Sequence, residues 1–313
     1  MNDMSDIIFS LDIGTRKIAA IAASRNFYGD GRENVEVLAS HIEEHPARRV
    51  KAGLIHDIDG VARDVIRIKE SLEKECGVKL NKVATAIAGR GMRSFRAIGE
   101  LSLGSFRQIS SEDLRNAEVT AIQQVISNSR QADKAGGQER LDYDIMDEYY
   151  FIGHTPVRWE IDGEPITKPA GHCGTSVKVE IIAAFLPRKV LESLFEVLKK
   201  ANLELSYLTL EPIAATEGVL SDDMKHIPIV LVDIGAGTSD IAVIYKGAIQ
   251  SFAMIPEAGD SITEFICSEY LVAFHEAERI KKSLGYMVQG RGIPMENLTS
   301  DHLISFKDIF DKE

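Results

Sequence analysis

The chain has 313 residues, 44% hydrophobic and 27% charged, the make-up of a folded globular protein with room for two domains. Its net charge of -12 excludes a nucleic-acid-binding protein of the usual basic kind, so Arg48, Arg49 and Lys51, and Arg90, Arg93 and Arg96, read as solvated surface. Three cysteines, Cys76, Cys173 and Cys267, form no CxxC pair, which excludes a disulfide framework or thiolate zinc site and suits a reducing cytoplasm.

The polar start, Met1 to Asp6, does not read as a secretory signal, and no apolar run approaches the roughly 20 residues that cross a bilayer. Ile7–Ile13 and Lys17–Ala23 are short apolar runs joined by a Gly-containing turn, and Val35–Ile42 follows the turn signal Gly29-Asp30-Gly31. Three strands in hairpin succession are expected. From Ile58 to Glu75 the apolar residues Ile58, Val61, Ala62, Val65, Ile66, Ile68 and Leu72 recur at helical spacing, with Gly77 as the C-cap. Val83–Ala88 then reads as a buried strand.

The texture changes between residue 92 and about residue 158. One helix is expected there, Ser111–Ile126, capped by Ser110 or Ser111 with Glu112 and Asp113 in its first turn. The polar stretch Ser127–Arg140, with Gly136-Gly137, reads as a mobile loop of an inserted module. Strand and helix alternate again from Val177: strand Val177–Phe185, helix Lys189–Ala201, strand Leu205–Leu210, and helix Pro212–Leu220 with proline in its first turn. Three further strands are predicted at Ile227–Ile234, Ser239–Tyr245 and Ala248–Ile255, then helices Asp260–Phe274 and Glu276–Leu284.

This layout contains a repeat. FSLDIGTRKIAAI (9–21) and VLVDIGAGTSDIAVI (230–244) both give an apolar strand, Asp-Ile-Gly, a polar loop, then Ile-Ala and another apolar strand. The Ile of that second strand stands six residues after Asp12 (Ile18) and eight after Asp233 (Ile241), which predicts a second loop two residues longer. Two similar halves face to face place a cleft between their Asp-Gly turns.

Such turns suit a nucleoside triphosphate. Glycines let backbone N–H groups approach phosphate oxygens, and carboxylates at strand ends can hold a hydrated Mg²⁺. Gly14 and Thr15, and Gly235, Ala236, Gly237 and Thr238, supply the turns; Asp12 and Asp233 supply the carboxylates; Arg16 or Lys17 supplies a cation. No GxxxxGK[ST] and no GxGxxG after a strand is present, which excludes the P-loop and dinucleotide-binding classes.

LDIGTRK (11–17) resembles the first phosphate motif, and VDIGAGTSDIAV (232–243) the second, of the superfamily that joins actin, heat-shock chaperone ATPases, sugar kinases and the bacterial division protein family FtsA. LEPIAAT (210–216) is similar to the segment connecting them. The resemblance implies that Glu211 orients or activates the attacking water; as a bare residue it reads equally as a helix N-terminal charge. PEAGDSIT (256–263) resembles a Gly-Gly-Asp turn, implying that Gly259 and Asp260 border the nucleotide. Glu278, Lys281 and Lys282 match the helix that holds adenosine and ribose in chaperone-type members, the alternative being a solvated charge face.

Within the superfamily the chain is most similar to FtsA, through RRVKAGLIHDIDG (48–60), KVATAIAGRGMRSF (82–95) and VRWEIDGEPITKPAGHCGTSVKVE (157–180). This implies an α/β fold of two duplicated actin-like (RNase H-like) domains, their mixed sheets flanked by helices, with a small α+β subdomain inserted in the first half. The expected division is 1–90 with 160–210, the insert 91–159, and 211–313. It further implies ATP and Mg²⁺ as ligands, Asp12, Asp233 and Glu211 as the reacting carboxylates, and at most a weak ATPase. The implied partners are an FtsZ-like tubulin homologue, other copies of the chain in dimers or filaments, and later division proteins through the insert, at the cytoplasmic face of the membrane. In the family a Gly-rich adenosine loop and a membrane-anchoring amphipathic helix follow, so membrane contact is expected through a segment outside this sequence. The rival readings are a pilus-assembly platform of the PilM type, and a sugar kinase or chaperone, for which no further catalytic Asp presents itself.

Overall fold

The computed structural model describes residues 6–27, 33–45, 49–131 and 145–288, in two compact units that divide after Pro256. The first unit opens with β1 (Asp6–Ile13), β2 (Lys17–Phe27) and β3 (Glu33–Glu44), an antiparallel meander as expected. A short hairpin, β4 (Val50–Lys51) and β5 (Leu54–Ile55), leads to helix α1 (Ile58–Cys76), and β6 (Lys82–Ile87) returns parallel to β1.

The start and stop of α1 are written in its sequence. The Asp57 carboxylate accepts from the Gly60 N–H at 2.8 Å, and Gly77 closes the helix in the left-handed conformation (φ 71°), donating to the Glu73 carbonyl. Asp57→Ala is expected to lower stability by about 1 kcal/mol. A denaturant midpoint that drops at constant slope would show it, and an unmoved midpoint would discount the cap. Val61, Val65, Ile68 and Leu72 point from α1 into a core shared with Phe9, Leu11, Ile18 and Ala20 of the sheet and Leu191, Leu194 and Leu198 of a later helix.

The inserted region is mostly sheet, which its sequence concealed. Strand β7 (Arg93–Gln108) precedes helix α2 (Ser111–Gln131); the one-turn helix α3 (Ile145–Glu148), β8 (Tyr149–Ile161), β9 (Glu164–Ile166) and β10 (Cys173–Pro187) follow. They pair in the order β7-β10-β8-β9. The loop expected over Ser127–Arg140 is helical to Gln131, and its remainder lies outside the described residues. In β7 the alternating Phe95, Ala97, Gly99, Leu101 and Leu103 carried a period-two signal that Gly99 within the row and Ile98 on the opposite face masked. Gly99 is required because a Cβ there would collide with the Ala117 carbonyl of α2.

Strand β10 belongs to the insert's sheet by hydrogen bonding, so that sheet runs to Pro187 instead of ending near residue 159. Its odd-numbered residues from Val177 to Phe185 face the core under α2, while Ala184 and Leu186 join the core of the first sheet and Ile182 meets the third sheet. From Ile181 to Leu186 the strand is buried on both faces and apolar throughout, whereas Lys178 and Glu180 before it mark a half-exposed face. Helix α4 (Arg188–Lys200) and β11 (Glu204–Leu210) complete the first sheet in the order β11-β6-β1-β2-β3. Helices α5 (Glu211–Val219) and α6 (Asp222–Lys225) lead to the meander β12 (Ile229–Ile234), β13 (Ser239–Tyr245) and β14 (Ala248–Ile255). Ala242, Ile244, Ile249 and Phe252 pack this meander against Ile182, which places it in the same unit as the first half.

The second unit contains α7 (Gly259–Tyr270) and α8 (Phe274–Val288), joined through Ile266, Ala277 and Ile280. No described helix is long and apolar enough to cross a membrane.

Candidate functional site

The two Asp-Ile-Gly turns are hairpins of equal length, correcting the expectation of a longer second loop. Ile13 pairs with Ile18 and Ile234 with Ser239, so each loop holds the same number of residues. Each closes the same way: Gly14 N–H donates to the Lys17 carbonyl at 3.0 Å and Gly235 N–H to the Thr238 carbonyl at 2.9 Å. Structure thus aligns Lys17 with Thr238 and Ala19 with Asp240, and the Ile-Ala pairs that looked equivalent are two residues out of step.

The loops meet. A Cβ on Gly237 would lie 2.6 Å from Thr15 Oγ1 and 2.9 Å from Ala52 N, so only glycine allows this approach. Between them sits the tip of the β4–β5 hairpin, where Gly53 N–H faces Thr15 Oγ1 at 3.5 Å. Arg16 contributes its carbonyl to His45 N–H at 2.8 Å, anchoring the first loop to the end of β3.

Asp12 and Asp233 end β1 and β12, and Glu211 opens α5 where Leu210, buried, closes β11. Solvent reaches Asp12, yet the crowded wall around it raises its carboxyl above the ordinary value, with Lys17 lowering it and Asp233 raising it further. Glu211 is pushed up to about 8, first by burial and then by the negative charges of Asp12, Asp240 and Asp233. A helix N-terminus favours an ionised carboxylate. At Glu211 the shift is upward, so burial and the neighbouring acids outweigh the helix start.

Asp240 was missed in the sequence. It is 3% exposed, burial raises its carboxyl above the ordinary value, the Gly89 N–H at 3.5 Å lowers it, Asp233 raises it and Thr238 lowers it. Aligning the two loops by length, instead of by their Ile-Ala pairs, would have singled it out opposite Ala19. Ala52, Gly53 and Arg90 were also missed as site residues, though all three lie within segments that resemble the family (48–60 and 82–95), and Arg90, expected as solvated surface, donates to the Ala52 carbonyl.

The site therefore holds four acids within electrostatic reach of one another, with Lys17 acting on Asp12. Excess negative charge gathered at one place is relieved by a divalent cation, and oxygen donors of this kind suit Mg²⁺. Among the described residues no three acidic, His or Cys side chains cluster as direct metal ligands.

The remaining predicted residues lie in the second unit. Gly259 and Asp260 form the first turn of α7, and Glu278, Lys281 and Lys282 lie on α8. Lys281 Nζ donates to the Gly259 carbonyl and to Thr263 Oγ1, both at 2.8 Å, and pairs with Glu278 at 2.7 Å. Lys282 approaches the same Glu278 at 3.8 Å. Lys281 and Glu278 thus stitch the two helices together, a role that neither reading from sequence foresaw.

Comparison with known proteins fits this picture. The family model described as "Cell division protein FtsA" matches residues 230–304. FtsA of Bacillus subtilis is 29% identical over 289 residues, covering 90% of this chain and 59% of that protein. FtsA of Pseudomonas aeruginosa is 26% identical over 275 residues, covering 88% and 60%. The chain thus spans about three-fifths of the length of these relatives. Among solved structures, a PilM-PilN type IV pilus biogenesis complex superposes with a TM-score of 0.61 at 14% identity, over 90% of this chain and 71% of that one. The chain shares its fold with that complex.

Proposed function

We propose that this chain, similar to the FtsA division proteins over nearly all its length, is an actin-like scaffold of bacterial cell division that binds Mg·ATP. The observation that carries the nucleotide reading is the meeting of two equal phosphate-type loops at Thr15 and Gly237, with four acids beside them. Gly14, Thr15, Gly235, Ala236, Gly237 and Thr238 present backbone and hydroxyl donors to phosphate oxygens, and Lys17 adds a cation. Asp12 and Asp233 hold the waters of Mg²⁺, which supplies charge neutralisation at the phosphates when bound. Glu211 orients an attacking water, and Asp240 keeps its loop in place. Gly259, Asp260, Glu278, Lys281 and Lys282 border the nucleoside in this reading.

Hydrolysis is weak, and ATP acts mainly as a conformational and assembly ligand. By kinship with FtsA, the whole protein self-associates, engages an FtsZ-like tubulin homologue and recruits later division proteins through the insert, at the cytoplasmic face of the membrane. By the same kinship the chain is divided into 1–90 with 160–210, 91–159 and 211–313, except that β10 pairs with the insert's sheet as far as Pro187. The pilus-platform reading rests on fold likeness at 14% identity, and the sequence kinship with FtsA outweighs it.

Calorimetric titration with Mg·ATP tests the site. Asp233→Ala is expected to weaken binding at least about tenfold, or about 1.4 kcal/mol. Equal affinity in both proteins would remove Asp233 from the site.

A further inference from the structure

Between the two phosphate-type loops lies a segment that no catalytic role explains, the two-residue turn Ala52-Gly53 joining β4 to β5. Both residues have positive φ, 43° and 73°, the pattern of a tight hairpin turn of the primed type. For Gly53 that conformation is free, but for Ala52 it is strained, and such strain persists only where the surroundings over-determine it.

Those surroundings are the two loops themselves. Gly53 N–H faces Thr15 Oγ1 of the first loop at 3.5 Å, and a Cβ on Gly53 would lie 3.4 Å from Thr238 Cγ2 of the second. Ala52 N lies 2.9 Å from where a Cβ of Gly237 would stand. From behind, Arg90 Nη1 donates to the Ala52 carbonyl at 2.8 Å and to the Lys51 carbonyl at 3.3 Å, while the adjacent Gly89 N–H reaches Asp240 at 3.5 Å. One short segment, 89–90, therefore holds both the wedge and the second-half carboxylate.

We propose that the Ala52-Gly53 turn is a wedge that sets the spacing of the two phosphate-type loops, and that Arg90 is the positioning residue that keeps it seated. The inference rests on the nucleotide reading for its consequence but not for its geometry. With the wedge seated, loop backbone donors are held at one separation before ligand arrives, and ordering them on binding is already done. With Arg90 gone, two carbonyls lose their donor and the turn is free to withdraw from between the loops.

Amide hydrogen exchange on the full chain without nucleotide tests the wedge directly. In Arg90→Ala, exchange at Gly14–Lys17 and Gly235–Thr238 is expected to quicken at least about tenfold while α1 and α4 keep wild-type protection. Gly53→Ala, strained at φ 73° and pressed on Ala88 and Thr238, is expected to do the same from the turn itself. Arg90→Lys, which keeps a donor for the Ala52 carbonyl, is expected to fall nearer the wild type. Loop exchange within twofold of the wild type in both Arg90→Ala and Gly53→Ala would overturn the proposal. Exchange quickened equally in α1 and α4 would also overturn it, by making Arg90 a general stabilising residue. Mg·ATP affinity of Arg90→Ala is expected to fall about tenfold. A wild type that binds no Mg·ATP would sink the nucleotide reading, and the wedge would still be decided by the exchange pattern.

Discussion

Replacing Glu211 with Gln is expected to stabilise the protein, with a gain that grows from pH 5 to pH 8. In the folded chain Glu211 keeps its proton up to about 8, whereas the ordinary value, which the unfolded chain shows, is 4.5. Between those values the folded state binds the extra proton, so its stability falls as the pH rises. Glutamine does not titrate and escapes that loss. After allowance for solvent at the cleft mouth, the gain at pH 8 is on the order of 2 kcal/mol, and near pH 4.5 it vanishes. Urea denaturation of both proteins at pH 5 and pH 8 in chelator measures it. A variant no more stable than the wild type at pH 8 would mean that Glu211 does not sit among uncompensated acids.

The same substitution separates binding from turnover. Gln keeps the size of the side chain and relieves the repulsion, so Mg·ATP binding is expected to persist. Any hydrolysis the wild type performs is expected to fall about 10²-fold or more, the usual worth of a positioned base. Saturating Mg²⁺ should also shrink the stability difference, because the cation supplies the neutralisation that Gln provides by losing a charge.

Gly237→Ala is expected to reduce Mg·ATP affinity roughly 100-fold, about 2.7 kcal/mol. Its new methyl lands 2.6 Å from Thr15 Oγ1 and 2.9 Å from Ala52 N, and one of these contacts is with backbone, which cannot swing aside. The loops must part, and donors placed for one set of phosphate oxygens no longer converge. The folding cost is smaller, about 1–3 kcal/mol, as for other overpacked sites. Gly218→Ala is the control: nothing lies within 4 Å of a Cβ there, and Ala is the better helix former, so α5 should gain about 0.5–1 kcal/mol with affinity unchanged. If titration calorimetry gives Gly237→Ala and Gly218→Ala the same affinity, the apposition of the loops has no part in binding.

Much of the first sheet was legible because its signals are local. Apolar runs, the spacing of Val61, Val65, Ile68 and Leu72, the Asp57 cap and the Gly77 stop each act within a few residues. The insert was less legible. Strand β7 carries its inward row at alternate positions, but Gly99 takes one of them for a reason that only α2, packed across it, supplies. Strand β10 is legible as a strand over Val177–Phe185, but its apolar run from Ile181 to Leu186 says only that both sides are covered, not which sheet it joins.

The two Asp-Ile-Gly turns, their glycines and the acids that end their strands are properties of the sequence alone, because a tight turn and a strand end are set by neighbouring residues. The equal length of the loops, the pairing of Asp240 with Asp233 at the position equivalent to Ala19, and the Ala52-Gly53 wedge between Thr15 and Gly237 were decided by the tertiary structure. Register comes from hydrogen bonds across strands, and the wedge joins segments separated by 38 residues in one direction and far more in the other. The upward shift at Glu211 has the same origin, since the three charges that add to its burial, Asp12, Asp233 and Asp240, come from parts of the chain remote from residue 211 in sequence.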